Sequence, residues 1–289
     1  MRSLLFVPGH DARKLARALD SGADALILDL EDAVPPAAKD EARAGCAGFV
    51  ARHRDRLALW VRINALDTPH ALADLAAVAR AGPRGIMLPK CGGAADVQAV
   101  SRYLDILEVR EGLPQGSLRL LPIVTETAAA TLRAAQYEAG GRLEGLMWGG
   151  EDLAADLGAQ ANRDASGRYT APYEMARSLA LLGAAAARVP AIDAVYPNFR
   201  DPQGLRAEAL DALRDGFSAK AAIHPAQVAV INEAFTPAPQ TVQQAERVLR
   251  AFAEAGGAAV VALDGMMLDR PHYRAARRVL ERAALAGKA

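Results

Sequence analysis

Six acids, two cations and an amide between residues 29 and 152 follow on short apolar runs. They are Asp29, Glu31 and Asp32 in Leu28-Asp29-Leu30-Glu31-Asp32-Ala33-Val34, then Arg62 and Asn64, Lys90, Glu126, and finally Glu151 and Asp152. Carboxylates this numerous repel one another unless a cation sits among them. Oxygen donors from two carboxylates, with open positions for water and a bound molecule, suit Mg²⁺ rather than zinc, and no pair of histidines competes. Glu126 and Asp152 are the expected metal ligands. They end consecutive runs, and neighbouring strands lie about 4.8 Å apart, so two such carboxylates can share one ion. Gly149-Gly150, just before Glu151, lets backbone N–H groups approach a ligand closely. The planar Arg62 fork matches a carboxylate or an enolate oxygen, and it also neutralises the acids beside it. A Schiff-base role for Lys90 is disfavoured, because neighbouring acids raise a lysine's pKa. Single acids after strands are commonly helix N-caps, which fits Asp11 and also Glu31 and Asp32. His224 in Ile223-His224-Pro225 reads as structural, and His10 carries no clear assignment.

These side chains can meet only if the runs before them are strands of one parallel sheet. Eight runs qualify: Ser3–Val7, Ala25–Leu30, Ala58–Ile63, Gly85–Leu88, Leu118–Val124, Leu143–Trp148, Ala191–Tyr196 and Ser218–Ile223. Each is short, apolar and bounded by Gly, Pro, Asp or Asn, as a strand buried on both faces should be. Segments with helical spacing lie between them: Asp11–Ser21, Ala37–His53, Pro69–Ala81, Ala94–Glu111, Thr127–Ala139, Pro172–Ala187 and Pro202–Arg214. The economical reading is an α/β fold, a TIM (β/α)₈ barrel, whose strand ends converge on one face. A doubly wound open sheet would need a glycine-rich first turn, and Pro8-Gly9-His10-Asp11 is not one. Beyond the barrel domain, residues 1–235, an extension over residues 236–289 reads as helix Gln240–Ala255, a hairpin over Ala258–Met267 turning at Asp264-Gly265, and helix Pro271–Ala286. Its apolar Val260, Val261, Met266, Met267 and Leu268 are expected to pack on a neighbouring subunit.

Composition narrows the class. The 289 residues are 52% hydrophobic and 24% charged, with 34 basic against 34 acidic side chains. That balance excludes a disordered or collagen-like chain and gives no global pull toward nucleic acid or membrane. Cys46 and Cys91 form no framework or zinc motif and read as reduced thiols, so a soluble, cytoplasmic protein is expected. No stretch is long and apolar enough to span a bilayer, and the start does not read as a signal peptide.

Motifs spread over the whole chain resemble the citrate lyase beta-subunit-like acyl-CoA lyases, which include malyl-CoA, methylmalyl-CoA, citramalyl-CoA and citryl-CoA lyases. The stretches are Arg2-Ser3-Leu4-Leu5-Phe6-Val7-Pro8-Gly9, Leu28–Val34, Val61-Arg62-Ile63-Asn64, Leu88-Pro89-Lys90, Glu126-Thr127-Ala128, Gly150-Glu151-Asp152-Leu153, Ile223-His224-Pro225-Ala226-Gln227 and Met267-Leu268-Asp269-Arg270-Pro271. The resemblance implies a Mg²⁺-dependent barrel that cleaves or forms a C–C bond in a 3-hydroxyacyl-CoA thioester, releasing acetyl-CoA and a 2-oxo acid. It makes Glu126 and Asp152 metal ligands, and Arg62 the residue that binds and polarises the reacting oxygens. Asp29 and Glu31 become acids that brace the site or hold water, and Asp269 the acid/base that a neighbouring subunit delivers. It also places Arg13 and Lys14 against the CoA phosphates and implies a homotrimer or homohexamer. Asp67 departs from the glycine or small polar residue expected at its position, which leaves the identity of the 2-oxo acid open. Three alternatives stand beside this reading: a metal-dependent aldolase on free 2-oxo-3-deoxy acids, a citrate lyase beta subunit acting on a carrier-protein thioester, and a subunit whose role is assembly.

Overall fold

The computed structural model describes residues 1–256 and 258–287. All eight expected runs form strands: β1 Ser3–Pro8, β2 Ala25–Asp29, β3 Ala58–Arg62, β4 Gly85–Leu88, β5 Arg119–Pro122, β6 Leu146–Met147, β7 Ala191–Asp193 and β8 Ala219–Ala222. They pair in parallel in the order β5-β4-β3-β2-β1-β8-β7-β6. Parallel bridges Leu120–Leu143 and Ile123–Met147 join the two ends, so the sheet closes into a TIM (β/α)₈ barrel.

The two-residue period of each strand sorts the side chains. One set (Leu4, Ile27, Trp60, Met87, Leu121, Ile123, Met147, Ile192, Ala221) fills the barrel. The alternate set, including Leu5, Val7, Leu26, Leu28, Val61 and Leu88, packs under the helices. Trp60 is fully buried, and Gly85 on the next strand makes room for it. A Cβ at Gly85 would lie 2.7 Å from the Trp60 ring and 2.2 Å from the Arg119 carbonyl oxygen. The inward rows Ala25-Ile27 and Ala58-Trp60 continue upward to Asp29 and Arg62, which are cross-strand partners.

Helices Ala12–Ala18, Lys39–His53, Ala71–Ala79, Ala94–Glu111, Ala171–Ala186 and Pro202–Asp215 lie where the periodicity predicts them. Asp11 caps the first, accepting from the backbone N–H groups of Arg13 and Lys14. Two segments differ from expectation. Only Ala128–Thr131 of Thr127–Ala139 is α-helical, and the backbone beyond it lies directly on Gly183, where a Cβ would meet the Ala134 carbonyl oxygen at 2.0 Å. Glu31 and Asp32 cap no helix, since the next one opens with a 3₁₀ turn at Pro36–Ala38. Helix Pro225–Phe235 follows the eighth strand, as the alternation of a (β/α)₈ barrel requires. His224 Nδ1 accepts from the Ala226 N–H, and Gln227 Oε1 accepts from the N–H groups of Ile223 and His224, a reciprocal cap around an N-terminal proline.

The chain beyond residue 235 forms helix Pro239–Glu254, strands β9 Val260–Leu263 and β10 Met266–Asp269, and helix Arg270–Ala286. Val248, Phe252, Val261, Leu268 and Ala276 give it an apolar cluster of its own. The two-residue turn has Asp264 at φ 50° and Gly265 at φ 75°, as the Asp-Gly pair predicts. No helix among the described residues is long and apolar enough to cross a membrane.

The fit around Trp60 carries a stability test. Gly85→Ala forces a methyl against a carbonyl and a ring that cannot retreat, so it should destabilise the barrel by about 3 kcal/mol or more. Urea unfolding followed by Trp fluorescence checks this, and an unchanged midpoint would show that the strand pair can relax.

Candidate active site

The carboxyl ends of the strands surround a cavity of about 470 Å³. Asp29, Asp32, Arg62, Glu126 and Asp152 line its charged side, and Phe6, Pro8, Val195 and Ile223 its apolar side. Arg62 stands between them, with its guanidinium over the Phe6 ring at 4.9 Å from the centroid. Its Nε and Nη2 each donate to an oxygen of Asp29 at 2.7 Å, while Nη1 lies 3.1 Å from Glu31 Oε2. The bidentate face expected to meet a substrate is therefore held by Asp29, and the Nη1 edge is what remains for another anion. Asp29 also accepts from the N–H groups of Glu31 and Ala33. Burial acts to raise its pKa, but the Arg62 hydrogen bonds and charge outweigh burial and hold the carboxyl below its usual range.

Lys90, expected beside the acids of the strand ends and disfavoured as a nucleophile, sits among those acids. Its Nζ donates to Glu31 Oε1 at 2.5 Å and lies 3.4 Å from Asp152 Oδ1 and 3.8 Å from Asp32 Oδ2. Its backbone N–H donates to Glu126 Oε2. The left-handed backbone of Lys90, φ 48°, lets one residue present both its amide and its ammonium to the cluster. Burial lowers its pKa, but Glu31, Asp152 and Glu126 more than reverse that, so it stays a cation and not a free amine. The acid-rich strand ends on either side were the available signal.

Glu126 is 3% exposed. Its carboxyl is pushed up to about 8, first by burial and then by the charges of Asp152 and Glu31, against the Lys90 N–H and Arg62. A buried acid whose ionisation is opposed in this way beside a second carboxylate fits a divalent cation, which would favour the charged form. Glu31 Oε2, buried and without a hydrogen bond, adds another oxygen to the same region. Among the described residues no three His, Cys, Asp or Glu side chains gather in metal-holding geometry, so a cation here would rest on the Glu126–Asp152 pair and on ligands from outside the chain.

The remaining expected residues divide. A Cβ at Gly149 would lie 2.9 Å from Glu126 Cγ, so glycine is what lets that carboxylate pack there. The Gly149 N–H already donates to Thr125 Oγ1. Gly150 precedes helix Glu151–Asp156, and Glu151 accepts from Asn162 Nδ2 at the edge of the cavity. Arg13 and Lys14 are exposed on the first helix and do not line the cavity. Asp269 likewise does not line it and is half-exposed on β10 beside His272. Sequence reasoning did not find Lys39, which is buried. Its Nζ donates to the carbonyls of Leu30 and Glu31 and to Asn64 Oδ1, each at 2.7 Å, and so fixes the loop that carries Glu31.

The chain is similar to known proteins over its whole length. The family model for HpcH/HpaI aldolase/citrate lyase matches residues 2–225. A (3S)-malyl-CoA thioesterase of Cereibacter sphaeroides is 36% identical over 98% of this chain and 94% of its own. A mitochondrial citramalyl-CoA lyase of Rattus norvegicus is 33% identical over 96% of this chain and 85% of its own. The crystal structure of CitE from Mycobacterium tuberculosis, in complex with magnesium, acetoacetate and coenzyme A, superposes with a TM-score of 0.78 at 34% identity and covers 98% of both chains. With matching sequence from end to end and the same barrel beneath it, this chain belongs to the HpcH/HpaI aldolase/citrate lyase family.

Proposed function

We propose that the chain is a Mg²⁺-dependent carbon–carbon lyase, cleaving or forming a 3-hydroxyacyl-CoA thioester of malyl-CoA, citramalyl-CoA or citryl-CoA type, with acetyl-CoA and a 2-oxo acid as the other partners. The observation that carries this reading is the meeting of Glu126 and Asp152 with Arg62 and Lys90 at the mouth of a half-apolar cavity. The neighbour bound to magnesium, acetoacetate and coenzyme A supports it.

Glu126 and Asp152 would hold the metal. When bound, Mg²⁺ supplies charge withdrawal from the carboxylate and carbonyl oxygens of the 2-oxo acid. Arg62, anchored by Asp29, presents Nη1 to the anion that develops, and Lys90 adds a second positive charge. Glu31 lies between both cations and keeps them apart at fixed distances. The apolar side formed by Phe6, Val195 and Ile223 suits the thioester arm and keeps water from the enolate. Cleavage takes a proton from the 3-hydroxyl and returns one to the enolate carbon, and Asp269 of a neighbouring copy is the acid for the second step. Arg13 and Lys14 serve the CoA phosphates. In this reading residues 236–289 dock on that neighbour, in a trimer or a dimer of trimers.

A relative named for thioesterase activity makes thioester hydrolysis the second reading. A panel of CoA thioesters with and without Mg²⁺ separates the two, because hydrolysis liberates free thiol whereas C–C cleavage releases a 2-oxo acid and leaves the thioester intact. Glu126→Gln should abolish Mg²⁺-dependent turnover while leaving the circular dichroism spectrum unchanged. Normal turnover and Mg²⁺ binding in that variant would remove Glu126 from the metal site. Asp269→Asn and Arg62→Ala should each be nearly inactive, yet co-refolding the two should restore activity, since some sites then combine an intact Arg62 with an intact Asp269. Mixed oligomers that stay inactive despite demonstrated subunit exchange would place Asp269 outside the chemistry of a neighbouring site.

A further inference from the structure

At the face of the barrel where the strands start, away from the acids, a second cavity of about 630 Å³ lies between the barrel and the extension. Three arginines from three segments line it: Arg2 just before β1, Arg206 on helix Pro202–Asp215 and Arg282 on helix Arg270–Ala286. Acids answer two of them. Arg2 donates to both oxygens of Asp24 and to Thr236 Oγ1, and Arg206 Nη1 lies 2.8 Å from Glu233 Oε2. Arg282 is different. Its Nε is sealed from solvent and, among the described residues, has no hydrogen-bond partner. Burial and the like charge of Arg278, one turn earlier, both lower its pKa, and no carboxylate acts against them. A buried N–H without an acceptor, on a cation without a counter-charge, is costly and calls for an anion. Helix Pro239–Glu254 also starts at this cavity with no side-chain cap, and its dipole favours negative charge there.

We propose that this cavity binds a small organic phosphate monoester through Arg282, assisted by Arg206. A guanidinium fork suits phosphate and carboxylate alike, but a phosphate group carries three free oxygens and accepts from several directions at once. The cavity exceeds what inorganic phosphate fills, and Leu210, Leu213 and Pro237 give it an apolar wall for the carbon part of an ester. Arg206 belongs to the barrel and Arg282 to the extension, whose helices pack chiefly on one another and on the β9–β10 hairpin. A bound phosphate therefore fastens the extension to its own barrel, from the side away from Glu126 and Asp152.

Isothermal titration of the full chain without Mg²⁺, at fixed ionic strength, tests this with ribose 5-phosphate, inorganic phosphate and acetate as probes. Ribose 5-phosphate should bind and raise the melting temperature, inorganic phosphate should bind more weakly, and acetate should do neither. Arg282→Met should weaken ribose 5-phosphate binding roughly tenfold or more. Without ligand that variant should melt no lower than wild type, because it loses a charge that has no partner. Arg206→Gln should weaken binding too, and it decides the matter if Arg282→Met does not fold. Failure of both phosphates to bind would overturn the proposal. Wild-type affinity in Arg282→Met would place the phosphate elsewhere, the metal-site cavity included, and overturn it as well, as would wild-type affinity in Arg206→Gln. Inorganic phosphate or acetate binding as tightly as ribose 5-phosphate would overturn the monoester assignment.

Discussion

Arg62 and Asp29 face each other across β3 and β2, and their two 2.7 Å hydrogen bonds lie at the level of the barrel where apolar packing ends and charge begins. Beneath them Ile27, Trp60, Met87 and Ile123 fill the interior, and above them stand Glu31, Glu126, Asp152 and Lys90. A buried ion pair gains little over an apolar substitute, but losing one member strands the other, at a cost of about 3–5 kcal/mol. Here the consequence spreads. Arg62 also sits against Glu31, Glu31 holds the Lys90 ammonium, and Lys90 reaches Glu126 and Asp152. The whole charged side of the cavity is thus ordered from one cross-strand pair.

Two further buried lysines brace the barrel, one beneath the rim loop and one outside the wall. Lys39 ties down the carbonyls of Leu30 and Glu31, and Asn64, which shares this contact, is held in turn by Asp74. Between the barrel wall and helix Pro202–Asp215, Lys220 donates to Asp193, Glu208 and the Ala194 carbonyl, and Asp193 accepts from Trp148 Nε1, just before Gly149. The chain uses arginine for most of its 34 basic side chains, with lysine only at positions 14, 39, 90, 220 and 288. Lys39, Lys90 and Lys220 each meet several acceptors from different directions. A compact ammonium with three donors does that, and a planar guanidinium does not.

The same contrast separates what could be read from sequence from what could not. Strand ends were legible, because a short apolar run closed by Asp, Arg or Glu says which residue reaches the rim, as at Asp29, Arg62 and Glu126. Partner choice was not. The Arg62 fork takes Asp29 instead of staying open, since register sets those two directly opposite one another, and spacing along the chain does not carry register across strands. Lys90 was legible as a cation beside the acids, but the left-handed backbone that turns both its amide and its ammonium inward was not, since no glycine announces it. Helix Pro225–Phe235 was readable in principle from His224-Pro225 and Gln227, a cap whose partners lie within four residues. The shortened helix at Ala128–Thr131 was not, and the backbone beyond it packs on Gly183, more than fifty residues on, a contact that local spacing does not carry.

Alternation along a strand, which sends Asp29 and Arg62 into the barrel, sends Asp269 the other way. The two-residue turn at Asp264-Gly265 sets Asp269 opposite Val260, Met267 opposite Ala262 and Leu268 opposite Val261. Val261 and Leu268 are buried against the extension's own helices, so Val260, Ala262, Met267 and Asp269 share the outward face. A carboxyl set at the end of an exposed apolar strip is carried wherever that strip is covered. The apolar groups supply the burial that holds such a surface in place, and the period of two fixes where the acid arrives on it.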